Sequence, residues 1–411
     1  MTTLSASPAP AADLRNRLTD QLVASGTIRT TAVEAAFRHV PRHACLPGIA
    51  LEDAYADTPV YVKQQDAVAV SAASQPTIVA MMLEQLGVEP GQNILEIGAG
   101  TGYNAALLAT LAGPDGHVTT IDVDQDLTDG ARQHLAAAGI TNAEVILGDG
   151  ALGYPPAAPY DRIIATVGAA QVPAAWLDQA APAARLVVPL RLRGAASRSI
   201  EFERGPGGWT STGSRLAVFM PLRGGIGDDP RRLISLTAGQ DVTLQLHQDQ
   251  AAGERQLAGV LDSPRHEEWT GVLFPPDVPY EWMDLWLCMT LPNALMRMNV
   301  QPQATAAGLV TPMFGWGSMA TAEGASLAYL ATRPAPAAAG GGKRYEVGVI
   351  AHGPGAQPLA RSVANQVCTW DTGFRDRDVQ FGLTGDPAGS EPAAGRFVLP
   401  RPGRAVTVTW Q

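Results

Sequence analysis

Lysine is almost missing from this sequence: only Lys63 and Lys343 occur in 411 residues, and arginine carries nearly all the positive charge. With Ala, Gly and Pro abundant, that imbalance reads as a GC-rich coding bias. Charged residues of both signs reach only 17%, and the formal net charge is -10. So little charge beside 46% hydrophobic residues excludes a disordered chain. The negative balance argues against a broad nucleic-acid surface. Cysteine is scarce too. Cys45, Cys288 and Cys368 lie too far apart for a metal site or a redox pair and read as reduced, buried thiols. No apolar run approaches the length that spans a bilayer. Residues 1–12 are rich in Ser, Ala and Pro and lack a charged head before an apolar stretch, so they read as a disordered N-terminus and not as a signal peptide. The expectation is a cytoplasmic protein that contacts neither membrane nor nucleic acid.

What is present suggests two domains, because 411 residues exceed what one core usually organises. From Asp13 to Pro47 apolar residues recur at helical spacing, and a further helix opens at Pro76. Then strands and helices alternate. Asn93–Ile97, Gly116–Asp122, Ala143–Leu147, Asp161–Thr166 and Leu186–Pro189 read as strands, with helices over Tyr103–Leu111 and Asp126–Ala138. This order predicts an α/β domain, doubly wound around a parallel sheet, over residues 13–225. Beyond Gly225 the texture changes to scattered strands, such as Val242–Leu246, Tyr345–Ile350 and Val406–Trp410, with six of the eight tryptophans. Residues 226–411 are expected to form an α+β domain, a candidate for peptide recognition. Pro334 to Gly342 reads as a mobile loop.

The strongest local signal is Leu95-Glu-Ile-Gly-Ala-Gly-Thr-Gly-Tyr103, a glycine loop between a strand and a helix. Gly98, Gly100 and Gly102 allow backbone angles and close ligand approach that other residues forbid. Such loops also hold dinucleotides, so the motif alone is weak. Three features favour S-adenosylmethionine over NAD. The spacing is Gly-x-Gly-x-Gly. Glu96 precedes the loop, where an acid opposes a pyrophosphate but suits a cationic sulfonium donor. Asp122 ends the next strand, where a carboxylate can accept from ribose hydroxyls. Asp149 and Gly150 end the third strand, at the rim where an adenine would lie.

With these motifs the chain resembles the protein-L-isoaspartate O-methyltransferase family over roughly its first 225 residues. The matching segments run in order: Val40-Pro-Arg-His43, Ala54-Tyr-Ala-Asp-Thr-Pro59, Ser74-Gln-Pro76, Ala158-Pro-Tyr-Asp161 and Phe219-Met-Pro-Leu222. The resemblance implies a Rossmann-like class I methyltransferase fold with a modified C-terminal strand region. It implies Ser74 as the active-site serine, Ser71 in a segment folded over the cofactor, and Gly98, Gly100, Asp122, Asp149 and Gly150 as cofactor ligands. S-adenosylmethionine would be the donor and S-adenosylhomocysteine the product. Val218 stands where the family commonly has Arg, which puts the usual acceptor pocket in question. The extension past Gly225 is similar to the longer actinobacterial FxLD-type branch, whose members tailor ribosomally made peptides such as lanthipeptides and graspetides. The partner would then be a modified precursor peptide.

The implied reaction esterifies an Asp or isoAsp carboxylate in a peptide, from which succinimide and isoaspartate follow. General isoaspartyl repair is the alternative, and a non-catalytic peptide-binding scaffold is a third reading. For Ser74 the competing use is an ordinary helix cap before Pro76. His39 and His43 lack an acidic or thiol partner nearby, and His352 lies in a turn. Asp124, Asp126 and Asp129 fit a helix start better than a calcium loop.

Overall fold

The computed structural model describes residues 8–65, 68–205, 208–224, 231–336, 342–385 and 393–411. The five expected strands form the parallel half of a ten-stranded sheet, in the order Ala143–Leu147, His117–Asp122, Asn93–Ile97, Tyr160–Ala165, Ala180–Arg193. Asn93–Ile97 lies third, with four of its five residues buried, as expected for a strand covered by helices on both faces. On one side the helices Pro76–Leu86 and Tyr103–Ala112 pack with Val33, Phe37 and Val40 of the N-terminal helices. A two-stranded hairpin, Val60–Gln65 with Val68–Ala73, stands apart from the large sheets.

The expected disorder over 1–12 is corrected for residues 8–12, which open a helix spanning Pro8–Ala24. Proline is well tolerated in a helix's first turn, where its missing N–H costs nothing. Residues 1–7 lie outside the described residues. So do 337–341 of the expected loop; Pro334 itself ends a strand, Ser326–Pro334.

The larger correction concerns the division at residue 225, which itself falls outside the described residues. After Ala180–Arg193 the first sheet continues antiparallel through Ala196–Gly205 and Gly208–Leu216. The chain then leaves, builds a second sheet and comes back. Val379–Thr384 pairs with Gly208–Leu216, and Ala405–Trp410 and Arg396–Leu399 complete the edge. The last strands therefore belong to the first sheet, and 226–411 is not a separate body.

The second sheet has seven strands, all antiparallel, in the order Arg232–Ser235, Val242–Leu246, Met296–Val300, Gly317–Glu323, Ser326–Pro334, Tyr345–His352, His266–Phe274. Helices Glu281–Thr290 and Ala356–Gly373 are shared between the two sheets. Leu285, Leu287, Val363 and Val367 join one core with Ile200, Phe202 and Val408 of the first sheet and Val272, Leu330 and Val349 of the second. Burying one apolar stripe against two sheets is what fuses the halves. No helix among the described residues is long and apolar enough to cross a membrane.

Candidate active site

A cavity of about 510 Å³ opens beyond the carboxyl ends of the parallel strands, the usual ligand position in open α/β sheets. Ser71, Ser74, Gly98, Gly100, Asp122 and Gly150 line it. The glycine loop sets the floor. Gly98 has φ 102°, and a Cβ there would sit 2.7 Å from Thr166 Oγ1 and 2.9 Å from Val167. Only glycine tolerates both the angle and the approach. Gly102 has φ 80° and caps the helix Tyr103–Ala112, but it does not line the cavity.

Asp122 holds the loop from the next strand. Its Oδ2 accepts from the Gly100 amide at 2.9 Å and its Oδ1 from the Asp124 amide at 3.3 Å. Burial pushes its carboxyl above the ordinary value, against the pull of those amides. A carboxylate has further lone pairs for hydroxyl donors on the cavity side. Asp124, next along, is clamped by Arg223 and by Lys63 of the hairpin at 3.0 Å. Lys63 also reaches Asp126 at 2.6 Å. Tyr61 and Ala69–Ala73 of the hairpin line the cavity, so these ion pairs tie its cover to the sheet.

Glu96, expected at the cofactor, does not line the cavity. It is fully buried, accepting from Thr120 Oγ1 at 2.6 Å and Asn104 Nδ2 at 2.8 Å. Burial pushes its carboxyl up to about 7, opposed by these two hydrogen bonds. Asn104 does line the cavity, so Glu96 reaches the site through it. Asp149 is also absent from the wall. Its Oδ1 accepts from the Ala151 amide at 2.9 Å, capping a short helical turn over Gly150–Leu152.

Ser74 lies between the hairpin and the helix Pro76–Leu86. It is not that helix's cap: Gln75 takes the cap position. Asp57 does the capping chemistry, accepting from the Thr77 amide at 2.8 Å and from Thr77 Oγ1 at 2.6 Å. No hydrogen bond engages the Ser74 hydroxyl among the described residues, and Ser74 lines the cavity. Its backbone is fixed by Arg42, a guanidinium with no solvent exposure. Arg42 donates to the carbonyls of Ala54 at 2.9 Å, Ala73 at 3.3 Å and Ser74 at 2.9 Å, and lies 4.9 Å from the Tyr103 ring centre. Arg42 and Asp57 both sit in segments singled out in the sequence. Spacing alone gave no sign that they converge on residue 74.

Phe219–Leu222 closes the far side. Gly168 donates to the Met220 carbonyl at 2.7 Å, and Leu222 donates back to Gly168 at 2.8 Å.

The profile of the family described as protein-L-isoaspartate(D-aspartate) O-methyltransferase matches residues 13–224, just over half of the chain. The chain belongs to this family. It is an S-adenosylmethionine-dependent methyltransferase, and the cavity suits that cofactor: glycine backbone at the floor, acceptor oxygens on Asp122 and a volume in the range of ligand pockets. Among its relatives, the protein-L-isoaspartate O-methyltransferase of Methanoregula boonei is 44% identical over 183 residues, covering 44% of this chain and 81% of its own length. That of Methanopyrus kandleri is 41% identical over 177 residues, 43% of this chain and 76% of its own. A Plasmodium falciparum structure from the family, solved with S-adenosyl-L-homocysteine, is 20% identical with a TM-score of 0.45. It covers 51% of this chain and 98% of its own.

Proposed function

We propose that this enzyme esterifies an aspartyl or isoaspartyl carboxylate in a peptide, in the cytoplasm, with Ser74 as the residue that touches the acceptor. The observation that carries the reading is the Ser74 hydroxyl. Ser74 lines the cofactor cavity, relieved of capping by Asp57 and held at its backbone by buried Arg42. Ser71, Gly98, Gly100, Asp122 and Gly150 would hold the cofactor directly. Glu96, Gly102 and Asp149 would act behind them, through Asn104, the loop helix and the turn at Gly150.

A carboxylate with a reference pKa of about 4 is already ionised at neutral pH and needs no general base. The cofactor supplies an electrophilic methyl group. The protein must bring one acceptor oxygen into line with it and keep water out. A serine hydroxyl donates one hydrogen bond to one carboxylate oxygen and so aims the other. It does this without the strong ground-state grip of a cation. In the product ester the next residue's amide nitrogen attacks the carbonyl, methanol leaves and a succinimide closes. Hydrolysis of the ring gives aspartate or isoaspartate.

The finer reading is tailoring of a ribosomally made precursor, such as a lanthipeptide or graspetide. It is supported by the large added sheet, whose residues line a second cleft next to the cavity. Isoaspartyl repair uses the same chemistry and is favoured by the names of the relatives. Mass spectrometry of peptides incubated with enzyme and cofactor tests both. A gain of one methyl followed by loss of methanol supports carboxyl methylation, and no gain on any peptide defeats it. Turnover of simple isoaspartyl peptides as fast as of any precursor would select repair.

A further inference from the structure

A second cleft of about 660 Å³ lies between the two sheets. It adjoins the first cavity, for Val218, Phe219, Pro221 and Arg231 line both. Its walls come from both halves of the chain: Ala195–Arg198 from the first sheet, Arg297, Asn299 and Trp316 from the second, and Glu281 and Asp284 from the helix between them.

Its charges are unevenly compensated. Arg191 pairs with Asp249 at 2.8 Å, and Arg198 pairs with Glu281 at 3.0 Å while lying 3.9 Å from the Trp282 ring centre. Arg297 differs. It lies 4.2 Å from the Trp316 ring centre and donates to the Asn299 side chain at 2.9 Å, with no carboxylate beside it among the described residues. A stacked, partly desolvated guanidinium with open donors suits a carboxylate. Phe314 stacks on Trp316 with ring centres 5.3 Å apart, and Tyr280 meets Phe314 edge-on at 5.8 Å. Together they give the cleft an aromatic wall. Asp284 forms part of the lining, and its Oδ1 is shielded from solvent with no partner. An acceptor left unpaired in a buried site costs stability. Burial pushes the Asp284 carboxyl up to about 7, so near neutral pH it carries only part of a negative charge beside the full positive charge of Arg297.

We propose that this cleft binds the acceptor peptide beside its methylated residue and selects an acidic side chain there, held by Arg297 over Trp316. This rests on the reading of the enzyme as a peptide carboxyl methyltransferase. Val218 and Phe219 form the passage between the two sites, so a chain lying in the cleft can present its neighbouring residue to Ser74.

The test uses the full-length enzyme and synthetic isoaspartyl peptides that differ only in flanking Glu, Gln or Lys. Wild type should favour Glu over Lys flanks by about tenfold in kcat/KM, the worth of one charge-assisted pair. Arg297→Gln should remove the preference by raising KM for the Glu peptide at unchanged kcat. Arg297→Glu should reverse it, with Tm and cofactor affinity preserved in both variants. A wild-type preference that survives Arg297→Glu overturns the proposal. A second arm reads the cleft without chemistry: fluorescence anisotropy of a labelled Glu-flanked peptide lacking isoaspartate, with S-adenosylhomocysteine present. About tenfold weaker binding to Arg297→Glu supports the cleft even if no peptide is methylated, an outcome that would sink the carboxyl methyltransfer reading alone. Equal binding to both proteins sinks the cleft alone.

Discussion

Replacing Glu96 by Gln isolates the cost of holding a carboxyl inside the sheet. In the folded enzyme the group titrates at about 7, chiefly through burial, against an ordinary 4.5. Because the folded value is the higher one, the native state binds the proton more tightly than the unfolded chain between these limits. Stability from this group is therefore greatest below about pH 4.5, declines as pH rises toward about 7 and is level above that. At 1.36 kcal/mol per pH unit the full decline is about 3 kcal/mol. Glutamine keeps the shape. Its Oε1 still accepts from Asn104, while its amide faces Thr120, whose hydroxyl must turn from donor to acceptor. That rearrangement costs about 1 kcal/mol. The variant should be about 2 kcal/mol more stable than wild type near pH 8 and about 1 kcal/mol less stable near pH 4.5. Asp284, also raised to about 7, contributes equally to both proteins and cancels in the difference. Urea titrations at several pH values give the curve, and calorimetry gives cofactor affinity, expected within about threefold because Asn104 keeps its partner. A stability difference that ignores pH would refute the buried-carboxyl account. A tenfold loss of affinity would return Glu96 to the cofactor.

Ser74→Ala should lower kcat by about 10- to 100-fold through loss of one charge-assisted hydrogen bond, with calorimetric cofactor affinity unchanged; equal loss of both would mean the residue only shapes the cavity. Asp122→Ala should weaken cofactor binding by about 10- to 100-fold, since it removes the Gly100 anchor and the acceptor oxygens together. Kinetics at saturating cofactor should recover most of kcat, and failure to recover would contradict a binding role. Truncation after residue 224 should yield an aggregating protein without cooperative unfolding, because Ile200, Phe202 and Trp209 lose their cover. A soluble fragment that melts cooperatively and binds the cofactor fully would show the halves to be separable after all.

The parallel strands and the glycine loop were legible because each strand is a short apolar run closed by glycine or a polar residue. The fifth strand was cut short in the reading, to Leu186–Pro189 against an observed Ala180–Arg193. Pro182 and Pro189 look like strand ends, yet both are accommodated within it. Glu96 was misplaced for a general reason. In a strand buried on both faces, sequence alternation does not say which face meets the ligand. The capping reading of Ser74 gave way to Asp57, a residue 17 positions upstream whose reach no local pattern reveals. Least visible was the return of the last strands to the first sheet. Leu383 pairs with Trp209, and no periodicity within either segment signals so distant a partner.

That return has a consequence during biosynthesis. Val379 follows Leu216 by 163 residues, and while these are made the nascent enzyme carries a bare sheet edge along Gly208–Leu216. Such edges recruit neighbouring chains. Only when Val379–Thr384 emerges and pairs with that strand is the seam closed, so the catalytic half completes its sheet with residues made long after its own cofactor loop.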